Sequence, residues 1–350
     1  MTEPSIASLP AGFSVLDDYP DLVAVLVESL SAIEEELAEA LRNADELAEA
    51  TTRHLLDAGG KRLRPLLAVL ASMLADPGVA NGQVRAPSEN IRSAAVALEL
   101  THLATLYHDD VMDEADMRRG VPAAHKQWNN SLAILAGDLI FARASMRMSQ
   151  MSAEVIRVHA QTFESLVMGQ MWETVGPRAD QDRLDHYLAV IDGKTASLIA
   201  TTAHIGALLG GCSSEVVAMM RNYGHNVGMA FQLADDIIDL VSPGEKSGKV
   251  PGTDLKERVP TLPTLLLRQV AAEGDQSAQQ AVALIDGPLD TQEQVNQALE
   301  AIATHPVLER AWELTRVWER KALESIENLD DSPIKQALIA FAHYVVERQN

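Results

Sequence analysis

Residues 94–107 form a run too apolar for a surface turn, and it leads directly into His108-Asp109-Asp110-Val111-Met112-Asp113. Asp109 and Asp113 are four residues apart, so on a helix they project from one face, one turn apart. Like charges at that spacing destabilise a helix by roughly 0.2–0.5 kcal/mol. A solvated acidic turn would tolerate this, but the end of a buried helix calls for a cation. The pattern returns at Asp235-Asp236-Ile237-Ile238-Asp239, again directly after an apolar helical run, residues 227–234. A chain with two such features must bury helices lengthwise and hold a cation at their acidic ends. Oxygen-only ligands select hard Mg²⁺. Mg²⁺ held by few carboxylates completes its shell with waters and substrate phosphate oxygens, which points to a phosphate ester.

The remaining sequence repeats the helical period. Apolar spacing of helical type covers residues 21–50, 90–114, 132–151, 153–172, 184–209 and 214–241, then a series of shorter segments to residue 348. Alternating runs are few and aromatics make up only 4% of the chain, which argues against strands. The expected fold is all-α, a single large helical bundle around a central cavity. Residues 1–18 have no period and read as a flexible arm, with one domain over residues 19–350. Glu34, Glu35, Glu36 and Glu39 read as a solvated face.

Among 350 residues, 28 basic against 50 acidic side chains give a formal charge of −22. That balance excludes nucleic acid and electrostatic docking to anionic lipid. The single cysteine, Cys212, excludes a disulfide framework and suits a reducing cytosol, so a cytoplasmic location is expected. No apolar run reaches the ~18 residues of a spanning helix, so no stable membrane insertion is expected. In so acidic a chain, Lys61-Arg62-Leu63-Arg64-Pro65 stands out. It follows Gly59-Gly60 and opens an apolar helix, so Lys61 and Arg64 sit at a helix N-terminus, where anions bind.

With these motifs in view, the chain resembles the trans-polyprenyl diphosphate synthases, the head-to-tail prenyltransferase family. The resemblance rests on GGKRLRP at 59–65, HDDVMDEADMRRG at 108–120, GQ at 169–170, KT at 194–195 and FQLADDIID at 231–239, in the family's order. The wording around the first motif is closest to bacterial medium- and long-chain members, which make quinone side chains. The resemblance implies condensation of isopentenyl diphosphate onto an allylic diphosphate (geranyl, farnesyl or geranylgeranyl) with three Mg²⁺ ions, in a homodimer. Asp109, Asp113, Asp235 and Asp239 then match the metal ligands, with Asp110 supporting. Lys61, Arg64, His102 and Arg119 match the isopentenyl diphosphate pocket. Arg118, Lys194, Thr195, Gln232 and Lys249 match the allylic side, and Lys194 joins the aspartates as a catalytic residue.

One departure is visible. Where the family carries a second lysine before its TLP sequence, this chain has Val259, so either one diphosphate contact is missing or Lys249, Lys256 or Arg258 supplies it. Two other classes compete. A class I terpene cyclase would need neither the basic loop nor a second aspartate-rich motif, and a non-catalytic synthase subunit typically lacks one or both motifs. Product length should depend on residues preceding Asp109. Thr105 and Ala104, where short-chain members place an aromatic floor, are small, so a product longer than C20 is expected. Leu98, Val167, Met168 or Met171 would then provide a deeper stop.

Overall fold

The computed structural model describes residues 9–10, 12–241 and 252–347. Within them the chain is helical apart from one short hairpin. In order, the elements are α1 (Pro20–Ala40), α2 (Glu46–Asp57), α3 (Leu63–Ser72), α4 (Glu89–Met112), β1 (Met117–Arg118), β2 (Val121–Pro122), α5 (Ala124–Gln127), α6 (Asn130–Met148) and α7 (Ala153–Val175). Then come α8 (Arg183–Ile191), a π-helical turn (Asp192–Ala196), α9 (Ser197–Leu209), α10 (Ser214–Val241), α11 (Thr253–Lys256), α12 (Leu262–Ala272), α13 (Gln276–Asp286), α14 (Gln292–Ala303), α15 (Val307–Ser325) and α16 (Pro333–Glu347). Among the described residues no helix is long and apolar enough to cross a membrane.

Helix starts follow local chemistry. Asp45, Asn129, Asp182 and Asp275 each accept a backbone N–H of the first turn, at 2.8–2.9 Å. Such a cap satisfies a donor that has no partner inside the helix. Thr291 and Gln294 form a reciprocal capping box at α14.

Two compact units make up the chain, each assembled from three segments: residues 1–164, 198–224 and 323–344, and residues 165–197, 225–322 and 345–350. Because the chain passes repeatedly from one to the other, no Pro/Gly-rich linker marks a boundary. In the first unit α4 is buried on every side over residues 94–101 and packs on α1, α3 and α6. The second unit closes on its own core, which includes Leu233, Ile237, Leu262, Leu266 and Val295.

Three expectations change at this level, and the first is the helical run over residues 21–50, which the structure breaks between α1 and α2. Phe13 and Leu16 are buried, and the Phe13 ring stands edge-on to Phe341 at 6.5 Å, so this part of the N-terminal arm is packed down. The acidic face of α1 is not uniformly solvated. Glu34 is 6% exposed, and Glu36 bridges Arg92 and Arg147 at 3.0 and 3.1 Å. A helical period shows which residues share a face, but not which basic groups a neighbouring helix brings to it.

Candidate active site

The basic loop of the first unit begins where α2 ends. Buried Tyr107 of α4 ties α2 down: its hydroxyl donates to the Thr51 carbonyl at 2.6 Å and accepts from the Leu55 N–H at 3.2 Å. After Gly60 the backbone enters the left-handed region at Arg62 (φ 49°). That reversal turns Arg62 inward, where it pairs with Glu34 at 2.7 Å and Glu99 at 3.4 Å. Three bases in four residues therefore do not face one anion. Arg62 braces the loop from beneath, and Lys61 is exposed.

Arg64, His102 and Arg119 converge in the same unit. Burial lowers the Arg64 and Arg119 pKa values, opposed in both by Glu99. Arg119 is held by its donation to the Leu55 carbonyl at 2.7 Å and to the Gly59 carbonyl. The Arg64 Nε is buried without a partner among the described residues. His102 lies well below the ordinary histidine range, first through burial and then through Arg64, Arg119, Arg118 and Arg62. Its imidazole is thus neutral at pH 7, in the field of four guanidinium groups opposed by Glu34 and Glu99. Such a cluster is suited to a polyanion. Glu99 escaped the sequence reading, and Glu34, read as solvated, is buried. The signal for Glu99 was its place inside an apolar helix, where an unpartnered carboxylate would be costly.

The first acidic motif closes α4. Asp113 caps the helix, its backbone N–H donating to the Asp109 carbonyl at 2.8 Å. Asp113 is exposed and Asp109 partly so, while Asp110 is 0% exposed and turned inward. Arg118 Nε donates to Asp110 Oδ1 at 2.6 Å, and Asp110 Oδ2 is buried without a partner. A hairpin absent from the sequence reading delivers Arg118: β1 and β2 pair antiparallel around Arg119-Gly120, both at positive φ (53° and 77°). Positive φ at both turn positions suits a tight hairpin and favours glycine at the second. Arg118, expected on the allylic side, thus stands on Asp110.

In the second unit Asp235 and Asp239 are partly buried, one turn apart on α10, and Asp236 between them is 6% exposed. Asp236 accepts hydrogen bonds from the Tyr187 hydroxyl and from Gln232 Nε2, the latter at 2.8 Å. Burial pushes its pKa up to about 7, against the pull of those two donors and with the help of Asp235 and Asp239. Gln232 Oε1 in turn accepts from Thr195 Oγ1 at 3.0 Å. Both ends of this amide are engaged within the protein, so Gln232 braces the motif. Lys194 Nζ pairs with Glu173, a residue the sequence reading did not single out.

The loop beyond Asp239 also differs from expectation. Lys249 lies outside the described residues. Arg258 donates to the Ile285 and Gly287 carbonyls at 2.9 and 2.8 Å, capping α13, and Lys256 donates to Gln292 at 3.2 Å. Both engage the end of α13 or the start of α14.

The donors suit Mg²⁺. Among the described residues no three carboxylate, imidazole or thiol groups converge on one point. The acids instead come in pairs, Asp109 with Asp113 and Asp235 with Asp239. Mg²⁺ is typically bound by one or two carboxylates, with waters and phosphate oxygens completing the octahedron.

Preceding Asp109 on α4, Ala104 and Leu98 are buried. Thr101 Oγ1 lies 2.9 Å from His159 Nε2, and the Phe141 ring stacks on Phe163 at 3.8 Å and on His159 at 6.2 Å. This aromatic layer joins α4, α6 and α7. Val167, Met168 and Met171 are 43%, 37% and 52% exposed.

Paired carboxylates at the ends of buried helices, with buried guanidinium groups clustered in the first unit, define a largely helical protein suited to binding phosphate esters. The polyprenyl synthetase family model matches residues 45–302. A nonaprenyl diphosphate synthase of Mycobacterium tuberculosis is 39% identical over 342 residues, covering 98% of each chain. A crystal structure of geranylgeranyl pyrophosphate synthase from Corynebacterium glutamicum, complexed with calcium and isoprenyl diphosphate, is 40% identical with a TM-score of 0.80, covering 95% of this chain and 98% of that one. A polyprenyl synthase from Caulobacter crescentus, also with calcium and isoprenyl diphosphate, is 29% identical with a TM-score of 0.83, covering 95% and 98%. The chain belongs to the polyprenyl synthetase family and is a prenyltransferase of isoprenoid synthesis.

Proposed function

We propose that this enzyme condenses isopentenyl diphosphate onto an allylic diphosphate, with Mg²⁺, to make an all-trans polyprenyl diphosphate longer than C20. The arginine cluster around His102 carries this reading. Glu34, Glu99 and Asp110 answer Arg62 and Arg118, but Arg64 Nε is buried without a partner among the described residues, and in a chain of charge −22 a polyanionic substrate best explains it. Arg64 and Arg119, with exposed Lys61, would take the diphosphate of isopentenyl diphosphate, and His102 would offer it an uncharged ring. Lys194 and Thr195 would take the allylic diphosphate.

Asp109, Asp113, Asp235 and Asp239 would hold the Mg²⁺ ions, about three by family pattern. When bound, the ions supply Lewis-acid stabilisation of the departing diphosphate. As the allylic C–O bond breaks, the diphosphate leaves with the bonding electrons, and Lys194 faces the charge that develops there. The double bond of isopentenyl diphosphate attacks the allylic carbon. A proton is then lost from the new cation to the released diphosphate, leaving a chain five carbons longer.

Small residues at Ala104 and Thr105 support a long product, as does similarity to the nonaprenyl synthase. The stacked Phe141–Phe163 layer and the C20-synthase relative favour a second reading, a geranylgeranyl-type product. Incubation with labelled isopentenyl diphosphate, farnesyl diphosphate and Mg²⁺, followed by chromatography of dephosphorylated products, tests both. Linear products beyond C20 support the first, a C20 stop the second, and a cyclic hydrocarbon would overturn both.

A homodimer is part of the proposal. Met168, Met171, Trp172 and Val175 fall at helical spacing on α7 and are 37%, 52%, 41% and 82% exposed. An apolar stripe of this kind suits an interface of obligate type. The single cysteine and the lack of a spanning helix among the described residues suit a cytoplasmic enzyme. Sedimentation at micromolar concentration tests the dimer, and a clean monomer would remove it.

A further inference from the structure

Lys194 and Thr195 sit in the π-helical turn Asp192–Ala196, between α8 and α9. One-turn π segments are rare and disfavoured, and they concentrate at functional sites. Here each successive residue of the turn meets its own partner on α7 or α10. Asp192 Oδ1 accepts from His225 Nε2 at 2.7 Å. Gly193 crosses Gly169 of α7 so closely that a Cβ at Gly169 would lie 2.5 Å from the Lys194 nitrogen. Lys194 pairs with Glu173, one helical turn beyond Gly169. Thr195 donates to Gln232, and Ala196 packs on Gly228, where an added Cβ would stand 2.6 Å from the Ala196 Cα. Ser197 Oγ also donates to the Gly193 carbonyl at 2.6 Å. His225, Gly228 and Gln232 fall three and four residues apart, on a stripe of α10 that continues to Asp236.

We propose that Asp192 and His225 are positioning residues: their bond fixes the register of the π-helical turn and so aims Lys194 and Thr195 at the allylic diphosphate. Without it, the turn can relax toward the more stable α-helical register. A one-residue change of register rotates a helical side chain by about 100°, which would carry Lys194 away from its diphosphate. The Gly169–Gly193 crossing and the Gln232 bond resist that relaxation. His225 acts at the start of the turn, through Asp192, two residues before Lys194. The inference rests on the reading of Lys194 and Thr195 as contacts of the allylic diphosphate.

The test compares His225→Ala, His225→Gln and Asp192→Ala with the wild type. It uses the KM for farnesyl diphosphate, the KM for isopentenyl diphosphate, and the calorimetric Kd of farnesyl S-thiolodiphosphate (an unreactive allylic analogue) with Mg²⁺. His225→Ala and Asp192→Ala should each raise the farnesyl KM and the analogue Kd about fivefold, the scale of a half-exposed ion pair. The isopentenyl diphosphate KM should stay put. The double variant should be no worse than either single one, because both remove the same bond. His225→Gln keeps a side-chain N–H donor but loses the ring that stands 5.9 Å from Trp318, so it should restore tight binding if the bond matters and fail if only ring packing does. An unchanged analogue Kd, an equal rise in both KM values, or a glutamine variant as weak as alanine would overturn the proposal. A wild type that binds the analogue but condenses nothing would sink the proposed function, while the analogue Kd would still decide the role of the turn.

Discussion

The two aspartate-rich motifs look alike in sequence, and each buries its middle carboxylate, but the structure satisfies those carboxylates in different ways. Asp110 receives a guanidinium, Arg118, carried in by a hairpin that folds back on the end of α4. Asp236 receives two neutral donors, Tyr187 from α8 and Gln232 from its own helix. Burial raises both pKa values, but Arg118 opposes the rise at Asp110 with a full charge, whereas Asp236 is carried to about 7. The difference shows that a buried acid needs a partner, and that the spacing of the motif leaves the choice of partner open. In both motifs the outer aspartates are the residues proposed to hold the cation.

The largest expected effect tests what the motifs share. Asp109→Ala and Asp235→Ala should each lower turnover at least about a hundredfold, as loss of a preorganised charge-stabilising group does. Melting temperature should hold or rise, because a like-charge neighbour is removed. If one variant kept its activity, the motifs would not be equivalent in function.

The next effect tests what divides them. Arg118→Ala strands a fully buried carboxylate and should cost about 3 kcal/mol in urea unfolding, at the low end for a broken buried pair because Arg118 keeps some exposure. A third prediction concerns pH and belongs to the first unit alone. Burial depresses His159 to about 4, below the ordinary histidine value of about 6.5. The folded state therefore binds fewer protons than the unfolded state between those values. Its contribution is present in full above about pH 6.5 and is lost as pH falls toward about 4. Stability should drop by about 2 kcal/mol from about pH 7 to about pH 5 on this account, and His159→Gln should flatten that part of the urea-midpoint profile.

The smallest effect returns to the second motif. Tyr187→Phe removes one of two neutral donors from Asp236 and should cost only about 1–2 kcal/mol. A loss as large as that of Arg118→Ala would erase the contrast between the two motifs. Product length can sharpen the picture further. Phe163→Ala opens the aromatic layer and should lengthen the dephosphorylated products by at least one isoprene unit, with the first condensation kept. Chromatography of the two product sets decides this, and identical lengths would show that the layer lies outside the path of the tail.

The sequence by itself carried most of the helices, though not the break between α1 and α2 or the π-helical turn, together with the acidic ends of α4 and α10, the basic loop before α3 and the family. Each of these is carried by local pattern: a 3.6-residue period, a four-residue spacing, a glycine pair before a proline-bearing first turn. Tertiary structure decided which member of each cluster faces the site. Arg62 reads like Lys61 and Arg64, yet a left-handed backbone turns it onto Glu34 and Glu99, acids that lie 28 and 37 residues away. Gln232 reads as a ligand, but Thr195 and Asp236 occupy both ends of its amide. Val167, Met168 and Met171 read as candidate stops for the growing product, and they are 37–52% exposed on α7. The reason is the same in each case. Sequence spacing fixes the direction of a side chain from its own helix, while its partner comes from another helix, and that pairing is set only when the helices pack.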